Sequence, residues 1–76
     1  MSYNFTLKLQ KGPFEIQIDP KANYGCFEHE TYGDEMGGGL WFSDNSLIDY
    51  DGVACLPKRV IEGIREMGFE VDPDFE

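Results

Sequence analysis

Few residues in this chain could do chemistry, and most of those that could are acidic. One histidine, His29, and two cysteines, Cys26 and Cys55, stand among 15 Asp and Glu in a chain of 76 residues. His29 sits between Glu28 and Glu30 on a stretch that reads as a strand, where successive side chains point to opposite faces. A Cys-His or Ser-His pair would therefore have to be assembled across strands, and nothing in the spacing argues for that. His29 reads as a structural or surface histidine, and the chain as a non-enzyme with no catalytic residue. A metal site fares no better. With Gly52 as the sixth residue of an EF-hand loop, Asp49 and Asp51 fall at positions three and five, but Leu47 falls at position one and Lys58 at position twelve, where a bidentate Glu belongs. One His and two distant Cys do not suit zinc, so no metal and no cofactor are expected. Gly37, Gly38 and Gly39 lack the Lys and Ser or Thr of a phosphate-binding loop and follow Asp34 and Glu35, which would repel a phosphate. Cys26 and Cys55 lie in no CxxC unit and read as reduced thiols, with a single bridge as the alternative.

What remains is the charge itself. The formal net charge is -9, with 41% hydrophobic and 14% aromatic residues, a composition that folds rather than staying disordered. A chain this short builds one small core with only a few kcal/mol to spare, so self-repulsion on this scale is a burden. The charge is also unevenly placed. Residues 1–21 sum to +1, residues 22–57 contain no Lys or Arg and sum to -7 through Glu28, Glu30, Asp34, Glu35, Asp44, Asp49 and Asp51, and residues 58–76 sum to -3. Direct binding to nucleic acid is excluded by the missing basic patch. No run approaches the length of a membrane span and the N-terminus lacks the blocks of a signal peptide, so a cytoplasmic monomer is the expectation.

The elements that must position these acids follow from periodicity. Tyr3, Phe5, Leu7 and Leu9 alternate with polar residues, Lys11-Gly12-Pro13 reads as a turn, and Phe14, Ile16 and Ile18 alternate again, which makes residues 1–19 a β-hairpin. Residues 24–56 read as short strands and a mobile Gly-rich loop. Within them, a strand over 24–32 should put Phe27, His29 and Thr31 toward the core and Tyr24, Cys26, Glu28, Glu30 and Tyr32 outward, because inward carboxylates would be buried unpaired. Leu40-Trp41-Phe42 and residues 47–50 are further short strands, and Asp51-Gly52 is a tight turn into a strand over 53–56. Pro57 opens a helix over about residues 57–67, in a helical unit 57–68, in which Val60, Ile61, Ile64 and Met67 form the apolar stripe and Gly68 the stop. Residues 69–71 make a last strand and 72–76 an acidic tail that should fray. The expected fold is a single α+β domain over residues 1–76, a small antiparallel sheet of four to six strands with the C-terminal helix packed on one face.

On a strand, Glu28 and Glu30, like Asp49 and Asp51, would share a face about 6.5 to 7 Å apart, comparable to the phosphate spacing along a nucleic-acid strand. Glu28, Glu30, Asp34, Glu35, Asp44, Asp49 and Asp51, with Tyr24 and Tyr32 as interface anchors, are the predicted partner-binding residues. Glu62, Glu66 and Glu70 are secondary candidates. The partner these imply is a basic nucleic-acid-binding protein; the alternative is a small interaction module whose acidity serves solubility.

A small, strongly acidic domain with a short sheet, one helix and no catalytic chemistry resembles the DNA-mimicking anti-CRISPR proteins of phages and mobile elements. The stretches Tyr24-Gly25-Cys26-Phe27-Glu28-His29-Glu30, Gly37-Gly38-Gly39-Leu40-Trp41-Phe42 and Leu47-Ile48-Asp49-Tyr50-Asp51-Gly52 are similar to an inhibitor of type I-C CRISPR surveillance complexes. The resemblance implies, as a partner, the Cas subunit that reads the protospacer-adjacent motif (PAM), in the cytoplasm of a bacterial host. It carries no residue role over position by position.

Overall fold

The computed structural model describes residues 4–75. Alternation in the first segment yields β1 (Leu7–Lys11) and β2 (Phe14–Asp19), joined by Gly12-Pro13. Gly12 has φ +59, the left-handed first position that a two-residue hairpin turn requires. Tyr3, placed in this hairpin by its alternation, lies outside the described residues. The chain continues as β3 (Tyr24–His29), β4 (Gly33–Ser43) and β5 (Ser46–Tyr50), crosses over through α1 (Lys58–Glu66), and ends in β6 (Glu70–Val71) and a single 3-10 turn at Pro73–Phe75. The sheet order is β1-β2-β3-β4-β5-β6. The fold is α+β as expected, but the sheet is mixed. Four neighbouring pairs are antiparallel, while β5 and β6 run parallel, because a parallel return needs a crossover and α1 supplies it.

Ile16, Ile18, Phe27, Leu40, Phe42 and Leu47 face Val60, Ile61 and Ile64 of the helix and form the core. The helix touches β1 and β2 at one end of the strand order and β6 at the other. Five strand spacings amount to about 24 Å, beyond both the width and the length of a nine-residue helix. The sheet therefore curls around α1, leaving its other face outward. Pro57, expected as the first helical residue, is instead the N-cap, with ψ 140, and Arg65 in the last turn donates from Nη2 to the Val71 carbonyl at 2.9 Å, tying helix to edge strand.

Four expectations need correction. The glycine run is no mobile loop but the middle of the longest strand, β4. A β-carbon on Gly38 would overlap the carbonyl of Asp51, so the missing side chain is what lets residues 51–52 pass against the strand. The segment 53–56 forms no strand: Gly52, at φ +86 and pressed on the backbone of Gly37 and Gly38, turns the chain away, and Leu56 is buried without joining a ladder. The strand expected over 24–32 stops at His29. The Glu30 N–H donates to the Pro13 carbonyl at 2.8 Å, and Thr31, expected inward, is exposed in the turn. Finally, the tail does not simply fray, since Phe75 packs edge-on against Tyr50 at 5.7 Å; Glu76 lies outside the described residues.

Candidate partner-binding face

The outer face of the sheet is built by the alternate residues that the core does not use. Strand register sets Gln10, Glu15 and Glu28 in one cross-strand row, Lys8, Gln17, Cys26 and Gly39 in the next, and Tyr24, Trp41 and Asp49 in a third. Glu15 and Glu28 are thus direct cross-strand neighbours of like charge, an arrangement that destabilises a sheet. Between the first two rows and the start of β4 opens a cleft of about 370 Å³ lined by Glu15, Gln17, Tyr24, Cys26, Glu28 and Asp34, with Gly38 and Gly39 along one wall.

The carboxylates differ in what engages them. Oε1 of Glu15 accepts from the Gln17 amide at 2.5 Å. Among the described residues, the side chains of Glu28, Glu30, Asp34, Glu35 and Asp44 make no ion pair and no hydrogen bond. Asp49 accepts from the adjacent Tyr50 N–H at 2.8 Å. Asp51 is structural: its Oδ1 accepts the Gly39 N–H at 2.7 Å while its own N–H donates to the Gly39 carbonyl at 3.1 Å. The Cys26 thiol registers the local field, for burial first, then Glu28 and Glu15, push its pKa above the ordinary 9.0.

Beside the cleft, Tyr24 meets Trp41 edge-on at 5.4 Å and Phe5 at 6.3 Å. Trp41 is 37% exposed, and its ring lies over Gly39, where a β-carbon would stand 2.9 Å from it. The predicted row of acids at strand spacing does not form. Glu30 leaves the strand, Asp51 is bound by Gly39, and Tyr32 packs on His29 at 4.8 Å rather than beside Tyr24; Asp44 lies in the β4–β5 turn, where the Asp44-Asn45-Ser46 turn signal puts it. What gathers instead is a cluster across strands, Glu15, Glu28 and Asp34. Sequence reasoning missed Glu15 and Trp41. The alternation of Leu40, Trp41 and Phe42 would have turned Trp41 outward, and pairing of β2 with β3 would have brought Glu15 beside Glu28.

The helix side handles charge differently. Lys11 pairs with Glu66, and Arg59 with Glu62 at 3.5 Å. Glu70 accepts from the Ser46 hydroxyl at 3.3 Å and lines a second groove of about 620 Å³ with Ile48, Arg65, Phe69 and Val71. That groove holds none of the other predicted acids.

Cys26 and His29 lie on opposite faces of β3, by the period of the strand, so they form no dyad. Among the described residues, no three His, Cys, Asp or Glu side chains come together closely enough to hold a metal ion, and no helix is long and apolar enough to cross a membrane. No family model, no curated protein and no solved structure matches the chain.

Proposed function

We propose that this protein is an inhibitor that sets the outer face of its sheet into a basic, DNA-binding groove of another protein and so keeps DNA out. On the resemblance drawn from the sequence, that groove belongs to the PAM-reading Cas subunit of a type I surveillance complex in a bacterial cytoplasm. The observation that carries the reading is the contrast in pairing among the described residues: Glu62 and Glu66 on the helix have cations, whereas Glu15, Glu28 and Asp34 meet around one cleft without any. A small domain that keeps like charges opposed across strands forgoes stability, and a cationic groove is the environment in which that arrangement becomes favourable. Tyr24 and Trp41 beside the cleft supply rigid apolar area of the kind that anchors interfaces. Glu30, Glu35, Asp44 and Asp49 add to the field that steers encounter, and Tyr32 stands at the same end of the sheet as Asp34.

The test is displacement of a PAM-bearing DNA duplex from a type I complex by the added protein, over a salt series. The duplex is expected to be released, with association slowing steeply as salt shortens the screening length from about 10 Å at 0.1 M toward 3 Å at 1 M. Failure to release DNA at low salt, or release that does not weaken with salt, would overturn the proposal.

A further inference from the structure

The turn between β3 and β4 is held by a nitrogen that can change state. His29 ends β3 on the core side, edge-on to Phe14 at 5.1 Å and against Tyr32 at 4.8 Å. Its Nδ1 accepts two backbone hydrogen bonds, from the Thr31 N–H at 3.0 Å and from the Tyr32 N–H at 3.3 Å. A ring nitrogen that accepts a hydrogen bond carries no proton, so the neutral ring must keep its proton on Nε2. The same turn is bonded at both ends by backbone alone, Glu30 N–H to the Pro13 carbonyl at 2.8 Å and Glu35 N–H to the Tyr32 carbonyl at 3.1 Å. His29 is therefore the side chain that closes its middle.

We infer that His29 is a protonation-gated latch on the β3–β4 turn. The imidazolium carries N–H at both nitrogens and cannot accept, so charging the ring removes the acceptor from the Thr31 and Tyr32 amides. A flip of the ring does not restore it, because a C–H then faces the two donors. The consequence falls on the segment that sets Glu30, Tyr32, Asp34 and Glu35 at one end of the outer face. The charged groups on the surrounding elements are mostly carboxylates: Glu28 and Glu30 flank the ring in the chain, and β4 brings Asp34 directly after Gly33, the register partner of His29. The facing residue of β2 is Phe14, uncharged, and behind it β1 brings Lys11, which Glu66 holds. The latch does not depend on what the outer face binds.

The experiment is nuclear magnetic resonance on the full chain, with pH lowered until the imidazole signals report a charged ring. In the neutral state Nδ1 is expected to be the unprotonated nitrogen. As the ring charges, the Thr31 and Tyr32 amide signals should shift together with it and lose several-fold in protection against solvent exchange, measured against the intrinsic rate at each pH, while the Ile16 and Phe27 amides keep theirs. In His29→Asn, the side-chain carbonyl can accept the same amides as an Asx turn and does not titrate, so those two signals should stay fixed over that pH range. A proton on Nδ1 in the neutral ring would overturn the latch, as would Thr31 and Tyr32 signals indifferent to the charged ring. The same shift persisting in His29→Asn would assign it to the neighbouring carboxylates instead.

Discussion

The two sides of this molecule treat acidic residues in opposite ways. On the helix side each of Glu62 and Glu66 lies beside a cation, Arg59 or Lys11, and the helix itself sets three cations against these two acids. On the outer face of the sheet, Glu15 and Glu28 oppose each other, Asp34 joins them at the cleft, and the aromatic pair Tyr24 and Trp41 stands alongside. If acidity served solubility alone, both sides could carry it in the same mixed pattern, since interspersed charge solubilises without self-repulsion. The difference separates a net charge that is merely large from one that is concentrated on a face.

The largest effect is expected at the strand on which the acidic face rests. Gly38→Ala should lower stability by about 3 kcal/mol, the size expected when a buried backbone contact must be forced apart. Urea unfolding would read this as an earlier midpoint, and a midpoint like that of the wild type would mean that residues 51–52 do not press on β4. A further effect concerns Asp19, which is buried at the β2–β3 corner. The Asn4 N–H, with those of Ala22 and Lys21, outweighs burial and lowers its pKa below the ordinary 3.8. A carboxylate whose folded pKa is depressed contributes stability that is full above the unfolded value and disappears as pH falls through the folded one. Acid titration of stability should thus steepen below about pH 3.8, and Asp19→Ala should be less stable at neutral pH with a flatter acid limb. An unchanged acid limb would contradict this role.

Smaller effects set the two sides directly against each other. Replacing Glu15 and Glu28 by Gln should raise stability by roughly 0.2 to 1 kcal/mol, by relieving a like-charge cross-strand pair. Replacing Glu62 and Glu66 by Gln should instead lower it by up to about 1 kcal/mol, by removing exposed ion pairs. Equal signs in thermal or chemical unfolding would erase the contrast. Smallest in energy, but most local, is the reactivity of Cys26. Alkylation near pH 8 should modify exposed Cys55 first, and the Cys26 rate should rise in the Glu15→Gln, Glu28→Gln variant as the field that disfavours its thiolate weakens. A Cys26 rate insensitive to both substitutions would mean that these carboxylates do not set the field in the cleft.

Much of this architecture was legible from periodicity. The β1–β2 hairpin, the stripe of α1 and the short closing strand follow from alternation at two and at three to four residues; the helix and the closing strand are observed close to their expected bounds, whereas β1 begins only at Leu7, after Phe5. Local pattern failed where a tertiary contact decided the outcome. Gly37 to Gly39 read as flexible because glycine lowers strand propensity, yet a side chain is excluded at Gly38 by the close passage of Asp51 and Gly52 and at Gly37 by the Phe27 carbonyl. Glu30 and Tyr32 read as strand by alternation, but hydrogen bonds to Pro13 and His29 fold them into a turn. The acidic character of the middle segment was visible in the sequence, whereas the meeting of Glu15 with Glu28 depends on strand pairing, which spacing along one strand does not encode.

The central claim, that the unpaired sheet face and not the charge as a whole contacts the partner, is tested most directly by comparing two variants of equal charge. Glu15→Gln with Glu28→Gln and Glu62→Gln with Glu66→Gln each remove two negative charges, one pair from each side of the molecule. In displacement of PAM-bearing duplex from a type I complex at fixed ionic strength, the sheet variant should need at least about tenfold more protein, the equivalent of about 1.4 kcal/mol, while the helix variant should stay within about twofold of the wild type. Equal losses in the two folded variants, or a larger loss in the helix variant, would contradict the account.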